Sequence, residues 1–280
     1  MKHTPVLLQE TLDALQVKGD EKYIDATFGA GGHAYAIAER GGEVLALDYD
    51  ETTVKSYQDE AKKRGITLIH ANYANIETCA KKYKFAPCEG ILFDLGLSME
   101  QISGSDRGFS YKQETALLDM RISRELIKSA SDIITNYSED ELYETLVQGA
   151  EELNSRAIVQ SIVRSRRVKP IKTILDLNMA VENGITVRGL QLEKVLRRVY
   201  QALFIEVNSE FQNLKAGLQG ALRCIKQTGK IVVISFHSGH ERIVKRFAKE
   251  NNLITKVIRK KAHLSYRFER SATIRVLTYT

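Results

Sequence analysis

The stretch Tyr23-Ile24-Asp25-Ala26-Thr27-Phe28-Gly29-Ala30-Gly31-Gly32-His33 governs the reading of everything around it. Tyr23 to Asp25 read as a strand ending on an acid, Gly29 to Gly32 as a tight turn, and Ala34 to Arg40 as the helix that follows. Glycines permit left-handed backbone and let a ligand approach the main chain at the positive end of the next helix. Strand, glycine turn and helix in that order open a nucleotide-binding α/β sheet. Taken alone the string is weak: Gly29-x-Gly31-x-x-Ala34 also fits a dinucleotide pattern, and a plain structural turn has the same residues. It lacks the Gly-Lys-Ser/Thr ending of a phosphate-binding loop.

Outward from this stretch the α/β rhythm continues. Glu43 to Asp48, Thr67 to His70 and Gly90 to Asp94 read as strands, with a polar helix around Glu51 to Arg64, and this spacing predicts a parallel sheet. From Met99 to about Arg198 the pattern turns helical: Ala130 to Asn136, a helix opened by the capping-box-like Ser138-Glu139-Asp140-Glu141, Ser155 to Arg166, Ile174 to Glu182, and Leu190 to Arg198. The α/β pattern returns as one amphipathic segment from Val199 to Ile225, a strand at Lys230 to Ser235, a basic helix from Glu241 to Glu250, and terminal strands at Ile254 to Ile258 and Thr273 to Tyr279. The expected architecture is a Rossmann-like α/β domain formed by residues 1–98 and 199–280, with an all-helical domain, 99–198, inserted on the carboxyl side of the sheet.

Composition is that of an ordinary globular protein: 280 residues, 43% hydrophobic and 27% charged. No apolar run has membrane-spanning length, and the N-terminal residues do not resemble a secretory signal, so a cytoplasmic location with no membrane partner is expected. Cys79, Cys88 and Cys224 lack metal-binding or disulfide-framework spacing, and no metal site is expected. The net charge of +6 is uneven. Residues 153–200 carry ten Lys and Arg against three Asp and Glu, and 241–280 carry eleven against three, while the first half is net acidic. Two basic blocks suit an RNA phosphate backbone, and they equally suit solvated helix faces.

The acids at the strand ends carry the chemistry. Asp25, just ahead of the glycine turn, would repel a pyrophosphate and favour a cationic ligand, which points to S-adenosyl-L-methionine (AdoMet) over NAD. Asp48 ends the second strand, where a carboxylate holds ribose hydroxyls or stands as an ordinary surface acid. Tyr73 is placed to pack on an adenine or simply to pack. Asp94 ends the fourth strand, at the mouth of the crevice, where an acceptor can orient an amine and stabilise the positive charge it gains on methylation. His237, beyond the next strand, is a proton acceptor, a substrate ligand or a structural histidine, and Phe236 beside it could stack on a base. There is no His-Glu-x-x-His, no Gly-x-Ser-x-Gly and no cysteine in a catalytic setting.

A wider set of motifs is specific. His3-Thr4-Pro5-Val6-Leu7-Leu8-x-Glu10, the Tyr23 to His33 stretch, Gly90-Ile91-Leu92-Phe93-Asp94-Leu95-Gly96-Leu97-Ser98, Arg107-Gly108-Phe109-Ser110, Leu118-Asp119-Met120-Arg121, Tyr200-Gln201-Ala202-Leu203 running to Asn208-x-Glu210, and Ile234-Ser235-Phe236-His237-Ser238 resemble, in order, the bacterial 16S ribosomal RNA cytidine N4-methyltransferases. The resemblance implies a class I AdoMet-dependent methyltransferase with an inserted helical domain, active on the cytidine at position 1402 of 16S rRNA in the small ribosomal subunit or its precursor. It implies cofactor contacts from Gly31, Gly32, His33, Asp48, Tyr73, Asp94 and Gln101, to which the direct reading adds Asp25 and Gly29. Asp94 and His237 are the expected catalytic pair, and His33 is expected to offer the cofactor a backbone amide or ring donor. Departures fall on the substrate side: Glu100 and Leu117 replace prolines, Leu192 to Arg198 replaces a His-Pro-Ala-Thr-Arg stretch, and Gly239-His240-Glu241 replaces Leu-Glu-Asp. They keep open the same chemistry on another RNA site. A noncatalytic RNA-binding assembly factor is the alternative from a different class, and monomer and homodimer are both open.

Overall fold

A computed structural model describes residues 5–97, 101–102, 105–258 and 272–280. His3, Thr4, Ser98, Glu100 and the tail cations Arg259, Lys260, Lys261, Arg267 and Arg270 lie outside the described residues. The chain forms two compact units, residues 1–97 with 211–280, and residues 98–210. No helix among the described residues is long and apolar enough to cross a membrane.

The first unit is built on a seven-stranded sheet in the order β3-β2-β1-β4-β5-β7-β6. The strands are β1 (Lys22–Asp25), β2 (Glu43–Asp48), β3 (Thr67–His70), β4 (Cys88–Asp94), β5 (Ile225–Ser235), β6 (Ile254–Ile258) and β7 (Thr273–Thr278). β1 to β5 run parallel, and β7 lies antiparallel between β5 and β6. Chain order reverses between β1 and β4, which places a ligand crevice beyond their carboxyl ends. Alternate strand residues feed opposite faces, as a period of two requires. Ile24, Leu47, Ile91 and Val233 pack against Leu214 and Leu218 of α10 (Glu210–Cys224) and Val244 of α11 (Ser238–Glu250). Tyr23, Val44, Leu92 and Val232 pack with Leu12 of α1 (Leu8–Leu15), Ile37 of α2 (Gly32–Glu39) and Val54 of α3 (Glu51–Lys63). Both faces are covered, and this is why these strands read as near-continuous apolar runs.

The second unit contains α5 (Ala130–Asn136), α6 (Glu139–Ala150), α7 (Ser155–Val168), α8 (Ile174–Asn183) and α9 (Leu190–Val207), numbered after α4 (Ile76–Lys82) of the sheet unit. Ser129 with Asp132, Ser138 with Glu141, and Thr173 with Asp176 form reciprocal capping boxes at the starts of α5, α6 and α8. Each satisfies backbone amides that the first helical turn leaves open. Ile133, Leu146, Ile158, Leu177 and Val199 are among the residues that fill its core.

The boundary differs from the sequence expectation at Arg198. Val199, Tyr200 and Leu203 of α9 are buried in the helical core, so this unit runs on to Glu210. Val199 to Ile225 is not one segment either. The chain breaks at Ser209, whose φ is 49°, and Asn208 anchors the break by accepting from the Ile122 amide at 2.8 Å and donating to the Met120 carbonyl at 2.9 Å.

Candidate active site

The glycine turn is tied to the strands on both sides of β1. The Phe28 amide donates to the Leu47 carbonyl and the Ala26 amide to the Leu92 carbonyl, both at 2.8 Å. Asp25 accepts from the Thr27 amide at 3.1 Å, and the Thr27 hydroxyl oxygen accepts from the Asp94 amide at 2.7 Å. One short Asx-type turn thus links the carboxyl ends of β1 and β4. Asp48 does the same for β2: its two oxygens accept from the Gly29 and Asp50 amides at 2.8 Å each. Gly29 and Gly31 have φ of 56° and 80°, where a side chain is disfavoured. A β-carbon on Gly31 would also run into the rings of Tyr35 and Phe28, and one on Gly32 would collide with Pro5.

Three carboxyl groups therefore sit at the ends of three adjacent strands, Asp25 and Asp48 buried and Asp94 half-buried. Asp25 is 1% exposed, and its Oδ2 has no hydrogen-bond partner among the described residues. Burial, with the charge of Asp48 added, raises its pKa to about 7. Burial raises Asp48 to about 6 against the pull of the Asp50 and Gly29 amides. Asp94 is raised to about 8, by burial first and then by Asp25. Such a cluster binds protons or another cation and repels phosphate. The orphaned Asp25 oxygen and the left-handed glycine turn fit a nucleoside ligand carrying positive charge, as AdoMet does through its sulfonium and ammonium groups.

Of the expected site residues, Asp25, Gly29, Gly31, Gly32, His33, Asp48 and Asp94 come together around this turn. His33 is buried at the second position of α2, and its ring is engaged by protein: Nε2 lies 3.2 Å from the Val6 carbonyl oxygen and Nδ1 lies 3.5 Å from Asp94 Oδ2. Tyr73 packs its ring edge-on against Phe93, with centroids 5.7 Å apart, in the core on the α10 side of the sheet. Gln101 is half-buried in the helical unit. His237 immediately precedes α11, with its ring centroid 3.7 Å from that of His240 and 6.0 Å from Phe211. Phe236 lies along Gly96, where an added β-carbon would stand 3.5 Å from its ring. Two residues were not anticipated. Thr27 could have been found from the Asp25-Ala26-Thr27 spacing, whereas nothing local in the sequence marks the Val6 carbonyl.

The model of the MraW methylase family matches residues 1–278. The chain is 38% identical over 256 residues to ribosomal RNA small subunit methyltransferase H of Caldicellulosiruptor saccharolyticus, covering 90% of this chain and 83% of that protein. It is 36% identical over 253 residues to the protein of that name from Clostridium botulinum strain 657, covering 89% and 82%. The Thermomicrobium roseum protein is 40% identical over 252 residues, covering 88% and 76%. A family model matched over residues 1–278, with relatives 36–40% identical that cover 88–90% of the chain, places this chain in the MraW methylase family.

Proposed function

We propose that this chain is an AdoMet-dependent RNA methyltransferase that modifies the exocyclic N4 of a cytidine in 16S ribosomal RNA, at the decoding-region position 1402. The observation that carries the reading is the set of Asp25, Asp48 and Asp94 at three strand ends around a glycine turn, the first two buried and the third half-buried, with pKa values raised to about 7, 6 and 8. AdoMet supplies an electrophilic methyl group on a positively charged sulfur. Asp25 answers positive charge on the ligand, Asp48 keeps lone pairs for ribose hydroxyls, and the backbone amides at the start of α2 and the glycine turn border the bound nucleoside. Asp94 accepts from the cytidine amino group. It orients the nitrogen lone pair and stabilises the charge that develops as the new bond forms. His237 stands at the same carboxyl edge as a substrate-side ligand.

RNA is held by charge. Arg164 and Arg167 stand exposed on α7, whereas Arg166 donates to the Ile134 carbonyl and Arg198 pairs with the buried Glu152. The exposed cations are the ones available to phosphates, with an affinity that falls as salt rises. The substrate is rRNA within the small subunit or its precursor, and the protein works in the cytoplasm.

Mass-spectrometric mapping of unmodified small subunits after reaction with labelled AdoMet tests this reading, with Asp94→Asn as control. An N4-methyl label at 1402, lost in the variant, is expected. The label at another cytidine would support a second reading, the same chemistry on a different RNA site. That reading is favoured by the buried His240 beside His237, where the resembled family has Glu.

A further inference from the structure

The ring of His33 is wedged between two groups that fix its protonation state. Its side chain is 6% exposed, so solvent does not decide the tautomer. The Val6 carbonyl oxygen, 3.2 Å from Nε2, can only accept. Nε2 must therefore carry the proton, because the opposite tautomer would set two lone pairs against each other in a dry site. The Nδ1 lone pair then faces Asp94 Oδ2 at 3.5 Å. A neutral imidazole in this orientation cannot donate to Asp94. It can only accept a hydrogen bond from the protonated carboxyl.

We propose that His33 is the positioning residue for Asp94: its Nδ1 lone pair receives the carboxyl O–H that forms when Asp94 takes the proton shed by the methylated amine. This rests on the amine-methylation reading above. In the transfer, the nitrogen lone pair becomes the new N–C bond and the electron pair of the broken C–S bond stays on sulfur. The electron pair of the broken N–H bond returns to nitrogen as the proton passes to Asp94.

The surroundings time this step. Among the described residues, the titratable groups bearing on the couple are Asp25 on β1 and, through it, Asp48 on β2. While the donor's charge is present Asp94 is held ionised and can accept. Once sulfur is neutral, burial and Asp25 again favour the protonated acid, whose pKa in the ligand-free protein is about 8. Burial, opposed by the Val6 contact, pushes His33 down to about 4, so its ring stays neutral and keeps Nδ1 ready as an acceptor. The ring also fixes the rotamer of Asp94, leaving Oδ1 for the amine.

Nitrogen-15 NMR of the full-length, ligand-free protein labelled at histidine tests the tautomer directly. His33 is expected to be neutral with its proton on Nε2 from about pH 5.5 to 8.5. A ring protonated on Nδ1, or an imidazolium at pH 7, overturns the proposal whatever the RNA substrate proves to be. Two variants then test the catalytic consequence. H33Q keeps a donor in reach of Val6 but has nothing at the Nδ1 position, while H33N keeps an acceptor there and gives up Val6. H33Q should lower kcat about 30-fold and displace the pH–rate midpoint, with AdoMet Kd by calorimetry within about threefold of wild type. H33N should recover much of the rate. A wild-type rate and pH profile in H33Q, or equal losses in both variants with unshifted profiles, overturns it.

Discussion

The strand-end acids of the sheet unit and the helix-start acids of the helical unit are held in opposite states. At the strand ends, burial raises Asp25, Asp48 and Asp94 to about 7, 6 and 8. At the helix starts, acids of the same kind are pulled down: Asp132 by the Ser129 side chain and amide, and Glu141 by the Ser138 amide and hydroxyl. For Asp176, burial acts upward but is outweighed by the Lys169 ammonium, the Thr173 hydroxyl and two amides, so it lies well below the usual carboxylate range. The helical unit uses its acids to close backbone hydrogen bonds, and their charge is satisfied within the fold. The sheet unit keeps three acids whose charge is not satisfied until a cation arrives. A site for a positive ligand is thus visible as an electrostatic cost confined to one edge of one unit.

The largest effect that can break this contrast is catalytic. Asp94→Asn removes the acceptor for the amine while keeping its size. The single-turnover rate of methyl transfer should fall about 10³-fold, and AdoMet should bind about tenfold more weakly, because its charge is also answered by Asp94. A near-normal rate would remove Asp94 from the chemistry. Next in size, Asp25→Asn should weaken AdoMet binding about 100-fold by calorimetry, the loss of a charge-assisted contact in a dry site. It should also raise the melting temperature of the ligand-free protein at pH 8, on the order of 5 °C, because an ionised buried acid has been removed.

These two sets of acids should also respond to pH with opposite sign. A carboxyl raised on folding binds its proton more tightly in the folded state. The contribution of the strand-end acids is therefore complete below the unfolded value near about pH 4 and is lost as pH rises through about 6 to 8. Acids depressed on folding, such as Asp176, stabilise above that unfolded value and lose their contribution as pH falls below it. Hydrogen exchange measured across pH on the ligand-free protein should show amides of β1, β2 and β4 gaining protection toward acid while those of α8 lose it. The smallest effect is Thr173→Ala, which opens one capping box. It should cost about 1 kcal/mol of stability in denaturant unfolding and leave AdoMet affinity unchanged.

What the sequence made legible was local. The Tyr23 to Asp25 strand, the glycine turn and the acids closing β2 and β4 are each written in a few consecutive residues, and the sheet follows from their repetition. The end of α9 was not legible, because apolar periodicity runs on through Tyr200 to Val207, and the break depends on Asn208 reaching Met120 and Ile122, far away in the chain. The resemblance implies that His33 offers the cofactor a backbone amide or a ring donor, and sequence alone does not say which. The ring's partners, Val6 and Asp94, are set by tertiary packing that no spacing rule encodes. Tyr73 had two readings, and its packing on Phe93 became visible only with the sheet and α10 in place.

Calorimetry of AdoMet binding at pH 7, repeated in buffers of different ionisation enthalpy, counts the protons exchanged. If a positive ligand takes the place of protons on Asp25 and Asp94, about one proton should be released on binding, and fewer in Asp25→Asn. Binding that releases none, or that takes protons up, would contradict a site built on charge waiting to be neutralised.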